Sequence, residues 1–309
     1  MHILISEFMD EAAIAALRAD FDVRYEPDLV DRRDALLAAL PSADALIVRN
    51  RTRVDAALLA VGPKLKAVGR LGVGLDNIDV PACQARDIAV LPATGANARA
   101  VAEYVIAAAL LLLRGAYHHS TQVAAGAWPR TDLSNGLEAE TRTLGIVGFG
   151  GIGRLTARLA QGLDMRVAAH DPLLRDDDPA WREADVEPLA LDTLLARADV
   201  LTLHIPLTDA TRNLMNADRL AAMKRGAVLI NTARGGIVDE AALARALRSG
   251  HLRGAAIDVF QDEPLPADGP LADAPNLVLT PHIAGLTQEA NTRVSSMVAQ
   301  RVAQALQGR

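Results

Sequence analysis

Three polar residues that could carry out proton and anion chemistry lie just beyond apolar runs in the second half of the sequence. Arg234 follows the run AVLIN, Glu263 follows GAAIDVF, and His282 follows NLVLTP. Apolar runs that alternate with helical segments predict parallel strands, and ligands bind beyond the carboxyl ends of such strands. We therefore expect the three side chains to meet at one edge of a sheet.

These residue types suit the reversible oxidation of an alcohol that lies next to an acid group. His282 can take up the hydroxyl proton as a general base and return it as a general acid. Glu263 can orient the imidazole, and Arg234 can hold a carboxylate with two hydrogen bonds. Each residue also has a structural interpretation, as a packing histidine or an Arg–Glu ion pair. Their joint occurrence after three strands favours catalysis.

A glycine-rich loop predicts the cofactor. The strand TLGIVG runs into GFGGIG, so Gly148, Gly150 and Gly153 form a G-x-G-x-x-G pattern that opens a helix. These glycines allow a tight turn, the approach of backbone to a pyrophosphate, and close packing of helix on strand. Asp171 ends the next strand, where a carboxylate binds the ribose hydroxyls and repels a 2′-phosphate. The pattern predicts NAD.

Further residues are predicted to line the cofactor site. His204 ends one of these strands, and packing in the core is its alternative role. The predicted set is completed by Gly151, Ile152, His204, Pro206, Thr232 and Ala233.

The composition indicates a globular protein that acts on small molecules. The chain has 309 residues, half of them apolar, and a formal net charge of -6, with no basic run that would mark a surface for nucleic acid. A single cysteine, Cys83, excludes an intrachain disulfide and cannot by itself form a metal site. The N-terminus lacks the basic region of a signal peptide, and the apolar stretch 105–113 is too short for a membrane span. We expect a cytoplasmic protein without metal, nucleic acid or membrane partners.

The order of the apolar runs predicts two α/β domains with doubly wound parallel sheets. Strand and helix patterns alternate up to about residue 98, where a long helical stretch over 98–119 interrupts them, and the alternation then resumes from TLGIVG. The last pattern, TQEANTRVSSMVAQRVAQAL, predicts a closing helix.

Seven longer motifs resemble the D-2-hydroxyacid dehydrogenase family, in particular its D-3-phosphoglycerate dehydrogenase branch. They are GRLGVGLDNID at 69–79, ANARAVAEY at 96–104, TLGIVGFGGIG at 143–153, LHIPLTDATRNLMN at 203–216, INTARGGIVDE at 230–240, AIDVFQDEP at 256–264 and LTPHIAG at 279–285. The opening ISEFMDE, together with VRNRT at 48–52, is similar to sulfolactate-type members.

The resemblance implies a specific domain arrangement. A Rossmann NAD-binding domain at 99–285 would be inserted into a flavodoxin-like substrate domain made of 1–98 and 286–309. The helix near 98–119 would form a homodimer. Because the sequence ends soon after the closing helix, the C-terminal serine-binding domain of some phosphoglycerate dehydrogenases is not expected.

The resemblance also assigns roles to individual residues. It implies that Arg234, Glu263 and His282 are the catalytic set and that Asp258 contacts the nicotinamide amide. In the substrate domain, it implies that backbone N–H groups of one loop bind the substrate carboxylate. That loop consists of Gly72, Val73 and Gly74.

A group of arginines bears on the substrate. Arg49 and Arg51 follow one predicted strand and Arg70 follows the next, so we expect them at the same cleft between the domains, and the resemblance implies that Arg130 reaches the partner subunit's site. Clustered like charges destabilise a fold unless an anion relieves them. The cluster predicts a second substrate anion, either the phosphate of 3-phosphoglycerate or the sulfonate of 3-sulfolactate. Solvated surface arginines are the alternative.

Two other functions remain open at this point. A glyoxylate or hydroxypyruvate reductase would use the same catalytic residues but leave the arginines unexplained. A non-enzymatic, NAD-sensing protein of the corepressor type would keep the cofactor site without turnover.

Overall fold

A computed structural model of the chain describes residues 1–308, apart from the side chain of His118. The chain divides into two compact units. The first consists of residues 1–97 and the C-terminal segment from residue 286, and the second consists of residues 98–285. The first boundary between the units lies at 97/98, one residue before the boundary expected at 98/99.

Strands and helices alternate along both units. The strands are β1 (His2–Ile5), β2 (Asp22–Tyr25), β3 (Ala45–Val48), β4 (Ala67–Arg70), β5 (Ala89–Pro92), β6 (Thr143–Val147), β7 (Arg166–His170), β8 (Glu187–Pro188), β9 (Val200–Leu203), β10 (Val228–Asn231), β11 (Gly254–Ile257) and β12 (Leu277–Leu279). The α-helices are α1 (Glu11–Arg18), α2 (Arg33–Ala39), α3 (Ala56–Ala60), α4 (Val80–Gln84), α5 (Ala98–Arg114), α6 (Ser120–Ala124), α7 (Gly151–Gln161), α8 (Pro179–Glu183), α9 (Leu191–Arg197), α10 (Ala217–Ala222), α11 (Glu240–Arg248) and α12 (Gln288–Gln307). Short 3-10 helices span Pro27–Asp31, Leu40–Ser42, Tyr117–His119 and Asp132–Asn135.

The first unit is built on a parallel sheet with the strand order β2-β1-β3-β4-β5, which is the flavodoxin-like order. Every residue of the central strand β3 is buried. Helix α12 packs against one face of this sheet through Val294, Val298 and Val302. These valines recur every four residues and so form one apolar stripe. The closing helix therefore belongs to the core of the first unit.

The second unit contains a seven-stranded parallel sheet with the order β12-β11-β10-β9-β6-β7-β8. Counted from β6, the order is that of the Rossmann fold with one additional strand. Helices α5 and α7 pack on each other, and α5 also contacts β10 and β11. The predicted pair of parallel-sheet α/β domains is thus confirmed.

One local prediction from the sequence was wrong, and one strand was not predicted. The long helix ends at Arg114 and not near residue 119, because Gly115 adopts a left-handed φ of 68° that stops an α-helix. The strand β8 has only two residues, and Glu-Pro gives no alternation from which a strand could be predicted.

Within residues 1–308, no helix combines the length and the apolarity needed to cross a bilayer.

Candidate active site

The candidate residues of the second unit follow six neighbouring strands. His282 comes after β12, Glu263 after β11 and Arg234 after β10. On the other side, His204 directly follows β9, Gly148 follows β6 and Asp171 follows β7. Because all of these strands are parallel, the residues lie at the same edge of one sheet, beyond its carboxyl ends.

His282 and Glu263 are in direct contact. The Nδ1 atom of His282 lies 2.8 Å from Oε2 of Glu263, and the other carboxylate oxygen accepts a hydrogen bond from the backbone N–H of Phe260 at 3.1 Å. A carboxylate only accepts hydrogen bonds, so Nδ1 carries the proton of this pair. In the neutral ring, Nε2 is then the basic nitrogen, and 41% of the His282 side chain is exposed.

The backbone at His282 is unusual and is held by Asp258. His282 has a φ of 56°, a left-handed conformation that is uncommon outside glycine and is often found at functional sites. Its N–H donates to the carbonyl of Asp258 at 2.8 Å. The Asp258 carboxylate, which is 1% exposed, accepts from the N–H groups of Ile283 and Ala284, each at 2.8 Å. Asp258 therefore fixes the histidine loop from both sides.

A chain of hydroxyl groups extends this support to helix α5. The Thr280 hydroxyl donates to Oδ1 of Asp258 at 2.6 Å, and the Tyr104 hydroxyl lies 2.6 Å from the Thr280 oxygen. Because Thr280 uses its proton on the carboxylate, Tyr104 must be the donor in the second bond. Burial raises the pKa of Tyr104, which keeps this donor protonated.

Arg234 lies on a turn that Asn231 stabilises. The Asn231 side chain accepts from the N–H of Ala233 and donates to the carbonyl of Arg234, both at 3.0 Å. The Arg234 guanidinium donates to the Ala233 carbonyl at 2.6 Å. At Gly235, a Cβ atom would lie 1.7 Å from the carbonyl oxygen of Phe260. Only glycine allows the arginine turn to approach the turn that carries Glu263.

The glycine loop has the geometry of a dinucleotide site. Gly148 has a φ of 96°, and a Cβ at Gly153 would lie 2.3 Å from the Gly148 carbonyl oxygen, so both positions require glycine. The Asp171 carboxylate accepts from the N–H groups of Phe149 at 2.8 Å and Leu173 at 2.9 Å. Asp171 is thereby fixed next to the loop, as its predicted role requires.

His204 is a neutral side chain. Desolvation lowers the pKa of its imidazole to about 4, and Nε2 lies 3.1 Å from the Thr202 hydroxyl oxygen. The His204 backbone also fixes the loop, because its N–H donates to the Val147 carbonyl at 2.7 Å. At pH 7 the ring therefore brings a polar group, without charge, to the edge of the sheet.

In the first unit, Glu7 and Asn291 position Arg49. The backbone N–H of Arg49 donates to Oε1 of Glu7 at 2.8 Å, and its guanidinium donates to Oδ1 of Asn291 at 2.7 Å. The guanidinium also lies over the ring of Phe8, 5.7 Å from its centre. Burial lowers the pKa of Arg49 and the Glu7 carboxylate raises it. Arg49 is therefore a half-buried cation with a defined orientation.

The other two arginines of the predicted cluster have partners of their own. Arg51 forms an ion pair with Asp31, and 59% of each side chain is exposed. Arg70 donates to the carbonyl of Leu71 at 2.9 Å. The expectation of a cluster of unrelieved like charges was therefore wrong for Arg51, because its neighbour in space, Asp31, lies 20 residues away in sequence and could not be assigned from it.

The sequence profile of the D-isomer specific 2-hydroxyacid dehydrogenases, NAD-binding domain, matches residues 106–284. The chain is 56% identical over 305 residues to (S)-sulfolactate dehydrogenase from Chromohalobacter salexigens, covering 98% of both proteins. It belongs to the D-isomer specific 2-hydroxyacid dehydrogenases. A crystal structure of a Thermus thermophilus protein superposes with a TM-score of 0.91 at 36% identity, covering 100% of this chain and 98% of that one.

This 2-hydroxyacid dehydrogenase is also 42% identical to D-3-phosphoglycerate dehydrogenase from Mycobacterium leprae, covering 99% of the present chain. It spans 57% of the length of that relative. The predicted family, the NAD cofactor and the enzymatic class are confirmed, and the non-enzymatic alternative is not needed.

The residues present fit NAD. A Cβ built at Gly150 or Gly151 meets no described protein atom within 4 Å, so the N-terminus of α7 is open to an anion such as a pyrophosphate. The Thr232 hydroxyl oxygen is buried without a hydrogen-bond partner among residues 1–308, as expected of a group that awaits a ligand. Within the same residues, no group of three or more His, Cys, Asp and Glu side chains could hold a metal ion.

Replacing Asp171 with asparagine is expected to lower the preference for NAD over NADP at least about tenfold, because it removes the charge that repels a 2′-phosphate. The ratio of kcat/KM values for the two cofactors measures the effect. Asp176→Asn removes the same charge from an exposed position of the same loop and should leave the ratio unchanged. An unchanged ratio in Asp171→Asn would contradict the assignment.

The remaining predicted site residues lie in the helix α7 and in loops of both units. Ile152 lies in the first turn of α7, and Pro206 accepts a hydrogen bond from Thr211 at 2.7 Å. Gly72 uses its N–H on the Arg70 carbonyl at 2.8 Å, so in this conformation the N–H groups of Val73 and Gly74 are the better candidates for a substrate carboxylate. Arg130 is exposed.

Asp258 has a structural role in addition to the one that the resemblance implied. Its two oxygens accept three hydrogen bonds from the loop 280–284, so it supports His282, and its contact with the nicotinamide amide stays a prediction. The sequence analysis missed Asn231, Thr280, Tyr104 and Glu7. Of these four residues, only Asn231 could have been recognised in the sequence, because it is an amide at the end of an apolar strand.

Proposed function

We propose that this enzyme catalyses the NAD-dependent interconversion of (S)-3-sulfolactate and 3-sulfopyruvate. The similarity to (S)-sulfolactate dehydrogenase over 98% of both chains carries the choice of substrate. The half-buried, oriented guanidinium of Arg49 is suited to the second anion of such a substrate. 3-Phosphoglycerate is the competing dianionic substrate.

The stereochemistry of sulfolactate agrees with a D-specific family. In sulfolactate, the sulfur-bearing carbon outranks the carboxyl group in the naming of the stereocentre, whereas in lactate the carboxyl group outranks the methyl group. The S isomer of sulfolactate therefore has the spatial arrangement of D-lactate. An enzyme of this family can therefore react with the same face of the substrate carbon in (S)-sulfolactate and in D-lactate.

In the proposed mechanism, His282 handles the hydroxyl proton. Nε2 takes up the proton of the 2-hydroxyl group during oxidation and returns it during reduction, while Glu263, 2.8 Å from Nδ1, stabilises the imidazolium. Arg234 binds the carboxylate and polarises the adjacent carbonyl. When bound at the cofactor site, NAD would supply the hydride acceptor for oxidation and NADH the hydride donor for reduction.

The cofactor is assigned to residues around the glycine loop. We propose that the backbone of Gly150, Gly151 and Ile152 binds the pyrophosphate and that Asp171 binds the ribose hydroxyls. The remaining cofactor contacts are assigned to His204, Pro206, Thr232 and Ala233.

The decisive experiment is a substrate panel. NADH formation should be measured with both sulfolactate enantiomers, D-3-phosphoglycerate and D-lactate, and NADH consumption with glyoxylate and hydroxypyruvate. The expected result is a kcat/KM for (S)-sulfolactate at least about a hundredfold above that for D-lactate, because an oriented charge pair contributes this much. Equal or better rates with glyoxylate or hydroxypyruvate would overturn the proposal in favour of a small-substrate reductase.

We also propose a homodimer in the cytoplasm. Trp128 is 79% exposed and Tyr117 is 62% exposed, and both follow α5, the helix expected to form the dimer. Large exposed aromatic side chains favour association. Arg130, two residues after Trp128, would then reach the partner subunit's substrate. Buried Cys83 suits a reducing compartment.

A further inference from the structure

Glu7 places a carboxylate beneath the segment that carries Arg49. The residue is 4% exposed. Its Oε1 accepts from the backbone N–H groups of Arg49 at 2.8 Å and Thr52 at 2.9 Å, and its Oε2 accepts from that of Arg51 at 3.2 Å. Both oxygens only accept, which is the hydrogen-bonding pattern of an ionised carboxylate. A fixed negative charge therefore lies within the segment 49–52.

The Glu7 carboxylate lowers the net positive charge that Arg49 and Arg51 present to an anion. Glu7 interacts electrostatically with the Arg49 guanidinium, which is held by Asn291. The Arg51 guanidinium is turned to Asp31. The segment thus presents one oriented cation close to a buried negative charge, and not two unopposed cations.

The two candidate substrates differ in the charge that meets this arrangement. A sulfonate carries one negative charge, whereas a phosphate monoester carries about 1.5 to 2 near pH 7. Repulsion from a fixed carboxylate grows in proportion to the charge of the ligand, and it is strong where the group is shielded from water. Glu7 therefore opposes the binding of a phosphate more strongly than it opposes the binding of a sulfonate.

We propose that Glu7 is a specificity-determining residue that favours the sulfonate of 3-sulfolactate over the phosphate of 3-phosphoglycerate. The inference rests on the proposed function, in which Arg49 binds the second anion of the substrate. Neither the glycine loop nor the catalytic residues can make this distinction, because the two substrates share the carboxylate and the hydroxyl group.

The test compares kcat/KM for D-3-phosphoglycerate with kcat/KM for (S)-sulfolactate in Glu7→Gln. Glutamine keeps one acceptor oxygen for the N–H groups of Arg49 and Thr52 and removes the charge. The ratio is expected to rise about tenfold, through a lower KM for the phosphate. Glu11→Gln removes an equal charge from an exposed position on α1 and should leave the ratio unchanged.

A second variant tests the opposite direction and does not disturb a buried residue. Asn291→Asp adds a negative charge at the side chain that holds Arg49 and is expected to lower the ratio severalfold. Glu7→Asp keeps the charge and should keep the ratio of the wild-type enzyme. These variants keep the inference testable if Glu7→Gln does not fold.

The outcomes separate this inference from the proposed function. A wild-type enzyme that prefers sulfolactate, with a ratio that neither Glu7→Gln nor Asn291→Asp changes beyond about twofold, would overturn the role of Glu7 alone. A wild-type enzyme inactive with both substrates would overturn the proposed function and this inference with it. A ratio that rises in Glu7→Gln and falls in Asn291→Asp would support both the proposed function and the role of Glu7.

Discussion

Replacing His282 with asparagine is expected to reduce kcat by about a thousandfold, because the enzyme then lacks its general acid and base. Asparagine is the informative replacement, since it adopts the left-handed φ of 56° found at His282 more readily than other residues. The loop held by Asp258 should therefore keep its shape. Binding of NADH, followed by its fluorescence, should remain within about threefold of the wild-type value, as the histidine acts on the proton and not on the cofactor.

The first unit offers a matched control for this variant. His2 pairs with a carboxylate in a similar way, with Nδ1 at 3.0 Å from Asp22, but it lies at the beginning of β1 and not beyond the carboxyl end of a strand. His2→Asn should leave kcat unchanged. A loss of less than tenfold in His282→Asn would rule out His282 as the general base.

The sequence predicted the parts of the site that depend on strand order. Apolar runs, the glycine pattern and the carboxyl-end rule were sufficient to place Arg234, Glu263 and His282 at one edge of a sheet. They also led to the pairing of Glu263 with His282, for which the structure gives a distance of 2.8 Å. These features are periodic or local, and local features can be recognised in a single sequence.

The supporting residues could not be predicted because they act across large separations in sequence. Tyr104 and Thr280 are 176 positions apart, and Asn291 holds Arg49 over 242 positions. The Asp258 carboxylate accepts hydrogen bonds from three donors of a loop more than 20 residues away, a structural role that the sequence did not indicate. Which buried polar groups meet is decided by the packing of the sheets and helices.

The arginines illustrate the same limit. In sequence, Arg49 and Arg51 are equivalent members of VRNRT, because both flank one asparagine after the same strand. In the structure they differ, because the backbone bends at residues 50–52 and the two guanidinium groups meet different partners. Arg49 is held by Asn291 and lies over Phe8, while Arg51 reaches the exposed Asp31.

This difference leads to a second large effect. Replacing Arg49 with glutamine is expected to lower kcat/KM for (S)-sulfolactate about a hundredfold, because the sulfonate loses a charge-assisted contact with an oriented cation. Arg51→Gln should change the same quantity less than about threefold, since an exposed ion pair contributes little. The two variants remove the same charge from positions two residues apart, so each is the control for the other.

Reduction of glyoxylate separates substrate binding from stability. Glyoxylate has no second anion, so its kcat/KM should be the same in Arg49→Gln, Arg51→Gln and the wild-type enzyme if the arginine acts only on the sulfonate. A parallel loss with glyoxylate would mean that Arg49→Gln disturbs the fold around Glu7 and Asn291. Equal losses of sulfolactate activity in the two variants would show that both arginines bind the sulfonate, with Arg51 leaving Asp31 when the substrate arrives.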